Sequence, residues 1–313
     1  MDPFFKDELI QIYQGDCLSI LPKIDSESID ACITSPPYYG LRDYGVNGQI
    51  GLEETPAEYV KKLVAAFQEI KRVLKNSGTL WLNLGDSYVA NGSGQVPQTK
   101  SHPGSGYAGT NRNGKTGLKQ KNLIGIPWKV AFALQAEGWI LRQDIIWAKP
   151  NVMPESVTDR CTKSHEYIFL LSKSKKYYYD AEAIQEKMAE STIPRMNYRR
   201  MGNNNKSLKK EYSVRSIEYS ESEKFGFRNK RSVWTVPTCP FRESHFATFP
   251  EGLITPCILA GCPPGGTTID PFSGAGTVAH VSKKLGRKSI GIELNPDYIK
   301  MSDKRTSQGV LIL

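Results

Sequence analysis

The sequence predicts an α/β fold, and three observations predict it. Short β-type runs alternate with helical runs along most of the chain, the pattern of strands joined by helical crossovers. One strand candidate leads through a glycine turn, DPFSGAGT at 270–277, straight into a helix. With 313 residues, 39% of them hydrophobic, the chain can bury one large core or two ordinary ones, which excludes disorder as its main state.

The elements follow in order. Ile10 to Gln14 reads as a strand ending in Gly15-Asp16-Cys17, and Ile29 to Thr34 as a second running into Ser35-Pro36-Pro37-Tyr38. Thr55 offers an N-cap, Pro56 suits the first helical position and Glu58 completes a capping box. Tyr59, Leu63, Phe67, Ile70 and Leu74 then recur at helical spacing until Gly78. Thr79 to Leu84 is the next strand, Pro127 to Glu137 a helix closed by Gly138, and Trp139 to Trp147 another strand. Near the C-terminus come a strand at Thr267 to Asp270, the glycine turn, a helix from Thr277 to Leu285, a strand from Lys288 to Leu294 and a last helix from Pro296.

Two stretches break this rhythm. From 86 to 125 the chain is rich in Gly, Ser, Asn and Thr with no apolar period, which predicts a long mobile loop over about 89–125. From about 182 to 242 it is polar, basic and interleaved with aromatics, as an appended module would be. The charge is concentrated in the same places. The chain carries +9 overall; 95–125 holds five basic groups and no acid, and 181–244 holds thirteen basic and eight acidic groups, so the remainder is close to neutral. Two basic segments on a neutral body suit contact with a polyanion, or else are solvated lysine-rich loops.

Other classes are excluded by what the chain lacks. No apolar run approaches the roughly 18–20 residues of a membrane span. The N-terminus carries acids where a secretory signal would have a basic head, which predicts a cytoplasmic protein. Six cysteines without a CxxC pair and four scattered histidines predict free thiols and no metal site.

Two motifs carry chemistry. In DPFSGAGT, Gly274 and Gly276 allow close backbone approach to a ligand, and Asp270 suits a ligand with a positive ammonium or sulfonium end. Glu293, ending the next strand, can accept from two ribose hydroxyls, and Asp16 from an adenine amino group. In TSPPY at 34–38 the prolines fix the backbone, so that the Ser35 hydroxyl and the Pro36 carbonyl converge as two acceptors. Accepting both hydrogens of an exocyclic nucleobase amine localises its lone pair, and Tyr38 offers a stacking face. Each motif alone is equally a plain turn.

TSPPY followed by DPFSGAGT resembles the β-class DNA amino-methyltransferases, in which the catalytic motif precedes the cofactor motif and the target-recognition region lies between them. GDCL at 15–18, LNLGDSY at 82–88, WAKPN at 147–151, HEYIFLLSKSKKYYYD at 165–180, RSVWTVPT at 231–238 and HFATFPEGLI at 245–254 fall in family-like places. The resemblance implies a Rossmann-like, S-adenosylmethionine-dependent fold with circularly permuted motif order. The catalytic half would be 1–181, the target-recognition region 182–244 and the cofactor half 245–313. S-adenosyl-L-methionine would be held by Thr34, Asp270, Pro271, Phe272, Ser273, Gly274, Gly276 and Thr277, with Glu293 at its ribose, Asp16 and Cys17 at its adenine edge, and Thr248, Phe249 and Pro250 at its methionine end.

Ser35, Pro36, Pro37 and Tyr38 would hold the flipped base. A serine opening this motif is similar to enzymes acting on cytosine N4, whereas aspartate or asparagine usually marks adenine N6, so an adenine-N6 enzyme is the nearer rival and a non-catalytic DNA-binding relative the distant one. Arg112, Lys115, Arg195, Arg199, Arg200, Lys209 and Lys210 are the expected DNA contacts. Double-stranded DNA is the expected partner, with a cognate restriction endonuclease alongside, and the expected state is monomer or homodimer.

Overall fold

The computed structural model describes residues 2–89, 116–189, 226–238 and 249–307. Two compact units divide the chain: one joins Met1–Tyr179 to Ser232–Leu313, and the other is Asp180–Arg231.

The larger unit is built on one sheet. Its strands are β1 (Phe5–Lys6), β2 (Ile10–Gln14), β3 (Ile29–Thr34), β4 (Leu74–Leu84), β5 (Ile140–Ala148), β6 (His165–Ser172), β9 (Val233–Thr235), β10 (Thr267–Asp270) and β11 (Lys288–Glu293). Their order is β1-β2-β11-β10-β3-β4-β6-β5-β9. From β2 to β4 every pairing is parallel, whereas β6 runs antiparallel to both β4 and β5. All six residues of β3 are buried, as befits a central parallel strand covered on both faces.

One face is covered by α2 (Pro56–Val73) and α3 (Ile126–Ala136), whose Leu63, Phe67, Ile70, Val130 and Leu134 pack with Leu80, Leu82 and Leu84 of β4. Trp81 alternates to the other face, where Gly261 closes α4 (Glu251–Gly261) and a Cβ would lie 2.4 Å from the indole nitrogen. Also in this unit are α1 (Cys17–Ile20), α5 (Thr277–Lys284) and α6 (Pro296–Ser307). No helix among the described residues is long and apolar enough to cross a membrane.

The capping box of α2 is present in both directions, Thr55 Oγ1 accepting from the Glu58 amide and Glu58 from the Thr55 amide, each at 3.2 Å. Its end needs correcting: the helix stops at Val73, not Gly78. Leu74 is already extended and pairs with Ile29, and the ladder shifts register before Ala31 meets Thr79, so 75–78 bulge out within β4. A second correction concerns 182–244. Val233–Thr235 adds a parallel edge strand to β5, so this part of the expected recognition region belongs to the large sheet. In the smaller unit, β7 (Glu186–Lys187) and β8 (Phe227–Arg228) pair antiparallel, and Glu186 faces Arg228, Lys230 and Arg231.

Crossovers leave the central pair in opposite directions. From β3 the chain passes through α2 to β4; from its neighbour β10 it passes through α5 to β11 on the other side. Ligands in open α/β sheets bind at the carboxyl ends of strands where the order reverses in this way. Both sequence motifs begin at that point.

Candidate active site

Four adjacent strand ends build the site. Asp16 follows β2, Glu293 ends β11, Asp270 ends β10, and Thr34 ends β3 immediately before Ser35. A cavity of about 840 Å³ opens over this edge, within the usual range for small-molecule sites. Asp16, Cys17, Asp270, Pro271 and Phe272 line it, as do Ser273, Gly274, Thr277, Glu293 and Phe249. All of Ser35, Pro36, Pro37 and Tyr38 line it too.

Asp270 joins the two motifs. Its Oδ1 accepts from Thr34 Oγ1 at 2.6 Å and from the Phe272 amide at 3.1 Å. The side chain is 2% exposed, and burial outweighs these bonds, lifting its carboxyl to about 7. Thr34, itself buried, spends its hydroxyl on Asp270 and does not line the cavity. Glu293 is pinned through both oxygens, from the Gly274 amide at 2.7 Å and the Asn295 amide at 2.8 Å. Burial raises its carboxyl as well.

The glycines of the turn do different things. Gly274 has φ +52° and open space where a Cβ would stand, so its backbone faces the cavity bare. Gly276 has φ +73° but a Cβ there would lie 2.1 Å from Ser302 Oγ, so it serves the close packing of α5 on α6 and does not line the cavity. Ser273 Oγ is buried without a hydrogen-bond partner among the described residues. Asp16 caps α1 through the Leu18 amide at 3.1 Å. The Cys17 thiol is pushed up to about 12, by burial first and by the Asp16 charge next, which keeps it protonated and unsuited to nucleophilic attack.

At the TSPPY motif, Tyr59 Oη donates to the Pro37 carbonyl at 2.9 Å, whereas no donor among the described residues reaches the Pro36 carbonyl. The Ser35 hydroxyl makes one long bond, donating to Tyr38 Oη at 3.4 Å, and keeps its lone pairs. Both the Ser35 hydroxyl and the Pro36 carbonyl are therefore left with accepting capacity. Tyr38 is more constrained than a stacking face requires. Its hydroxyl lies 2.6 Å from Glu166 Oε2 and 3.1 Å from Asn83 Oδ1, and a Cβ on Gly85 would stand 2.5 Å from its ring.

Glu166 also accepts from Asn83 Nδ2 at 3.2 Å and pairs with Lys149, whose ammonium sits 4.2 Å from the centre of the Trp147 ring. Asn83, Trp147, Lys149 and Glu166 all line the cavity, and none was assigned a role from sequence. Their signal lay in the family-like runs LNLGDSY, WAKPN and HEYIF, which mark position without stating chemistry. The register Trp147↔Glu166 is what brings the last two runs together.

Pro250 serves as the N-cap of α4 and does not line the cavity. Thr248 lies outside the described residues, as do Arg112, Lys115, Arg195, Arg199, Arg200, Lys209 and Lys210. The root of the 89–125 loop is described: the Val89 amide donates to the Asn122 carbonyl, the Lys121 amide donates to the Val89 carbonyl, and Asp86 caps α3 through the Gly125 and Ile126 amides, each at 3.0 Å.

The family described as DNA methylase, covering N6 and N4 amino-methyltransferases, matches residues 29–304. Type II methyltransferase M.Cfr9I of Citrobacter freundii is 46% identical over 294 residues, spanning 94% of this chain and 86% of that protein. Among solved structures, the PvuII DNA methyltransferase (cytosine-N4-specific) aligns with a TM-score of 0.65 at 18% identity, covering 97% of this chain and 88% of that one. A putative DNA modification methylase of Thermus thermophilus, TTHA0409, complexed with S-adenosyl-L-methionine, aligns at 0.58 and 19% identity, covering 95% and 93%. The fold is thus the Rossmann-like methyltransferase fold.

Proposed function

Starting from the fact that this chain belongs to the N6/N4 DNA methylase family, we propose that it moves a methyl group from S-adenosyl-L-methionine to the N4 amine of a cytosine flipped out of double-stranded DNA. It is a DNA methyltransferase; the choice of base, the flipping and the site residues belong to this reading. The observation that carries it is the pair of open acceptors, Ser35 Oγ and the Pro36 carbonyl, at the end of the strand next to Asp270.

The donor set fits the cofactor. Asp16, Glu293, Asp270 and Ser35 stand on four consecutive strands, a span of about 14 Å at the usual strand spacing, which suits a nucleoside joined to an amino acid. Each Glu293 oxygen holds one backbone amide and retains capacity for a ribose hydroxyl. The bare Gly274 backbone and the unpartnered Ser273 hydroxyl leave room and polarity beside it. Asp16 takes the adenine edge, and Phe249, flanked by Thr248 and Pro250, takes the methionine end.

Bound S-adenosyl-L-methionine supplies a methyl group activated on a sulfonium. The chain's own residues supply orientation and charge. Ser35 and Pro36 accept from the amine, aim its lone pair and stabilise the positive charge that grows on nitrogen. Flipping costs a few kcal/mol, offset by phosphate contacts from Arg112 and Lys115 and from the region 182–244 with Arg195, Arg199, Arg200, Lys209 and Lys210. A cognate restriction endonuclease is the partner against which such methylation protects DNA.

Incubation with mixed-sequence DNA and isotopically labelled cofactor, digestion to nucleosides and mass spectrometry is expected to show labelled N4-methylcytosine. Labelled N6-methyladenine would keep the fold and geometry but remove Ser35 as the determinant of base choice.

A second expectation follows from Asp270. Its carboxyl is lifted to about 7 chiefly by burial, so the free protein carries a fraction of it protonated near neutrality. A positively charged ligand end favours the carboxylate. Cofactor binding near neutral pH therefore releases a proton, and affinity rises as pH increases through this range. Calorimetry in buffers of different ionisation enthalpy measures the release; Asp270→Asn is expected to abolish it.

A further inference from the structure

The hydroxyls of Ser35 and Tyr38 are aligned in one direction. Ser35 Oγ donates to Tyr38 Oη at 3.4 Å, and Tyr38 Oη donates to Glu166 Oε2 at 2.6 Å, the nearer of its two acceptors. The series ends on a carboxylate, which accepts without donating. Asn83 holds that carboxylate in place, with Nδ2 bound to Glu166 Oε2 at 3.2 Å and to the Tyr167 carbonyl at 3.1 Å. Lys149 pairs with the other oxygen. The Glu166 and Lys149 side chains are only 14% and 16% exposed, a burial whose desolvation cost offsets much of an ion pair's attraction. Stacking by Tyr38 calls for the ring, and Gly85 already seats that ring closely; it does not call for the hydroxyl or for a half-buried ion pair behind it.

We propose that Ser35, Tyr38 and Glu166 form a proton wire that carries the proton released by the methylated amine to the Glu166 carboxylate. This rests on the amine-transfer reading above. When the nitrogen lone pair forms the new N–C bond and the methyl–sulfur pair stays with sulfur, the nitrogen is left cationic with one hydrogen too many. That N–H bond breaks, its electron pair returning to nitrogen. The proton passes to Ser35 Oγ, the Ser35 proton to Tyr38 Oη, and the Tyr38 proton to Glu166 Oε2. One N–H bond is lost and one carboxyl O–H is gained; loss of that proton to solvent resets the wire.

Tyr38 suits a concerted hop, because burial and the Glu166 charge both push its phenol well above the usual range and keep it protonated between turnovers. Glu166 acts through Tyr38 and is a positioning residue for the proton, not a contact of the base.

Single-turnover methyl transfer tests the wire with Tyr38→Phe, Glu166→Gln and the double variant. Tyr38→Phe keeps the ring and removes the link; Glu166→Gln keeps an acceptor for Tyr38 but cannot take up a proton. Each is expected to slow transfer about tenfold or more. The double variant falls no further, because members of one unit do not add. Affinities for cofactor and for duplex DNA, read by calorimetry and fluorescence anisotropy, stay within about twofold of wild type. Glu166→Asp, with a carboxylate one methylene shorter, recovers part of the rate.

A Tyr38→Phe protein at the wild-type rate, losses that add in the double variant, or a Glu166→Asp protein no faster than Glu166→Gln would overturn the wire. Should Glu166→Gln fail to fold, Tyr38→Phe decides alone, since it removes one oxygen and leaves the packing. A wild-type protein that labels no exocyclic amine sinks the amine-transfer reading itself, an outcome separate from all of these.

Discussion

Ser35→Ala is expected to lower single-turnover methyl transfer about 100-fold, the size of effect seen when one oriented polar group is removed from a charge-developing transition state. An exocyclic amine conjugated to its ring has little lone-pair density to offer. On the proposed reading, the Pro36 carbonyl, held by the Pro36-Pro37 backbone, would take one amine hydrogen and the Ser35 hydroxyl the other. Without it the nitrogen stays closer to planar and the growing positive charge meets one dipole instead of two. Cofactor affinity is expected to stay near wild type, because Ser35 shares no hydrogen bond with Asp270, Phe272, Gly274 or Glu293. A variant that kept full turnover would remove Ser35 from the catalytic machinery. One that lost cofactor affinity in proportion would make it a structural element of the cavity.

The reason this serine was legible in the sequence, while Glu166 was not, is a matter of range. Thr55 and Glu58, or Asp270 and Phe272, interact within three residues, so the pattern of types announces the contact. The Ser35-to-Tyr38 motif is likewise local. Glu166 meets Asn83 across 83 positions and Tyr38 across 128, and it does so because β6 enters antiparallel beside β4. Nothing in a glutamate preceding Tyr167-Ile168-Phe169 distinguishes the start of a buried strand from the end of a proton path. The fold follows the same rule. Helices with strong caps and apolar periods were readable, but the stop of α2 at Val73 depends on the pairing of Leu74 with Ile29, and the edge strand Val233–Thr235 exists only against β5.

The late glycine turn takes its meaning from topology as well. Thr34 and Asp270 are 236 positions apart, yet their side chains share a bond of 2.6 Å, because β3 and β10 are neighbours at the strand-order reversal. The TSPPY and DPFSGAGT motifs, far apart in the chain, therefore meet at one crevice.

At the other end of that crevice, Glu293→Ala is expected to weaken cofactor binding at least 100-fold. Hydrogen bonds to a charged group contribute about 1.5–3 kcal/mol each, and two ribose hydroxyls lose their acceptor together. The same substitution orphans the Gly274 and Asn295 amides that Glu293 now holds, so the turn before α5 loses its anchor on β11. Glu293→Gln keeps one carbonyl oxygen and should fall between the two. Stability moves in the opposite direction. Burial raises the Glu293 carboxyl above its unfolded value, so in the wild type this group's contribution is greatest at acid pH and is lost as pH rises through the folded value. Relative to wild type, Glu293→Gln should therefore gain thermal stability with rising pH while binding cofactor more weakly at every pH. Titration calorimetry and melting curves across the acid-to-neutral range separate the two effects; an unchanged cofactor affinity in Glu293→Ala would remove this residue from the ribose site.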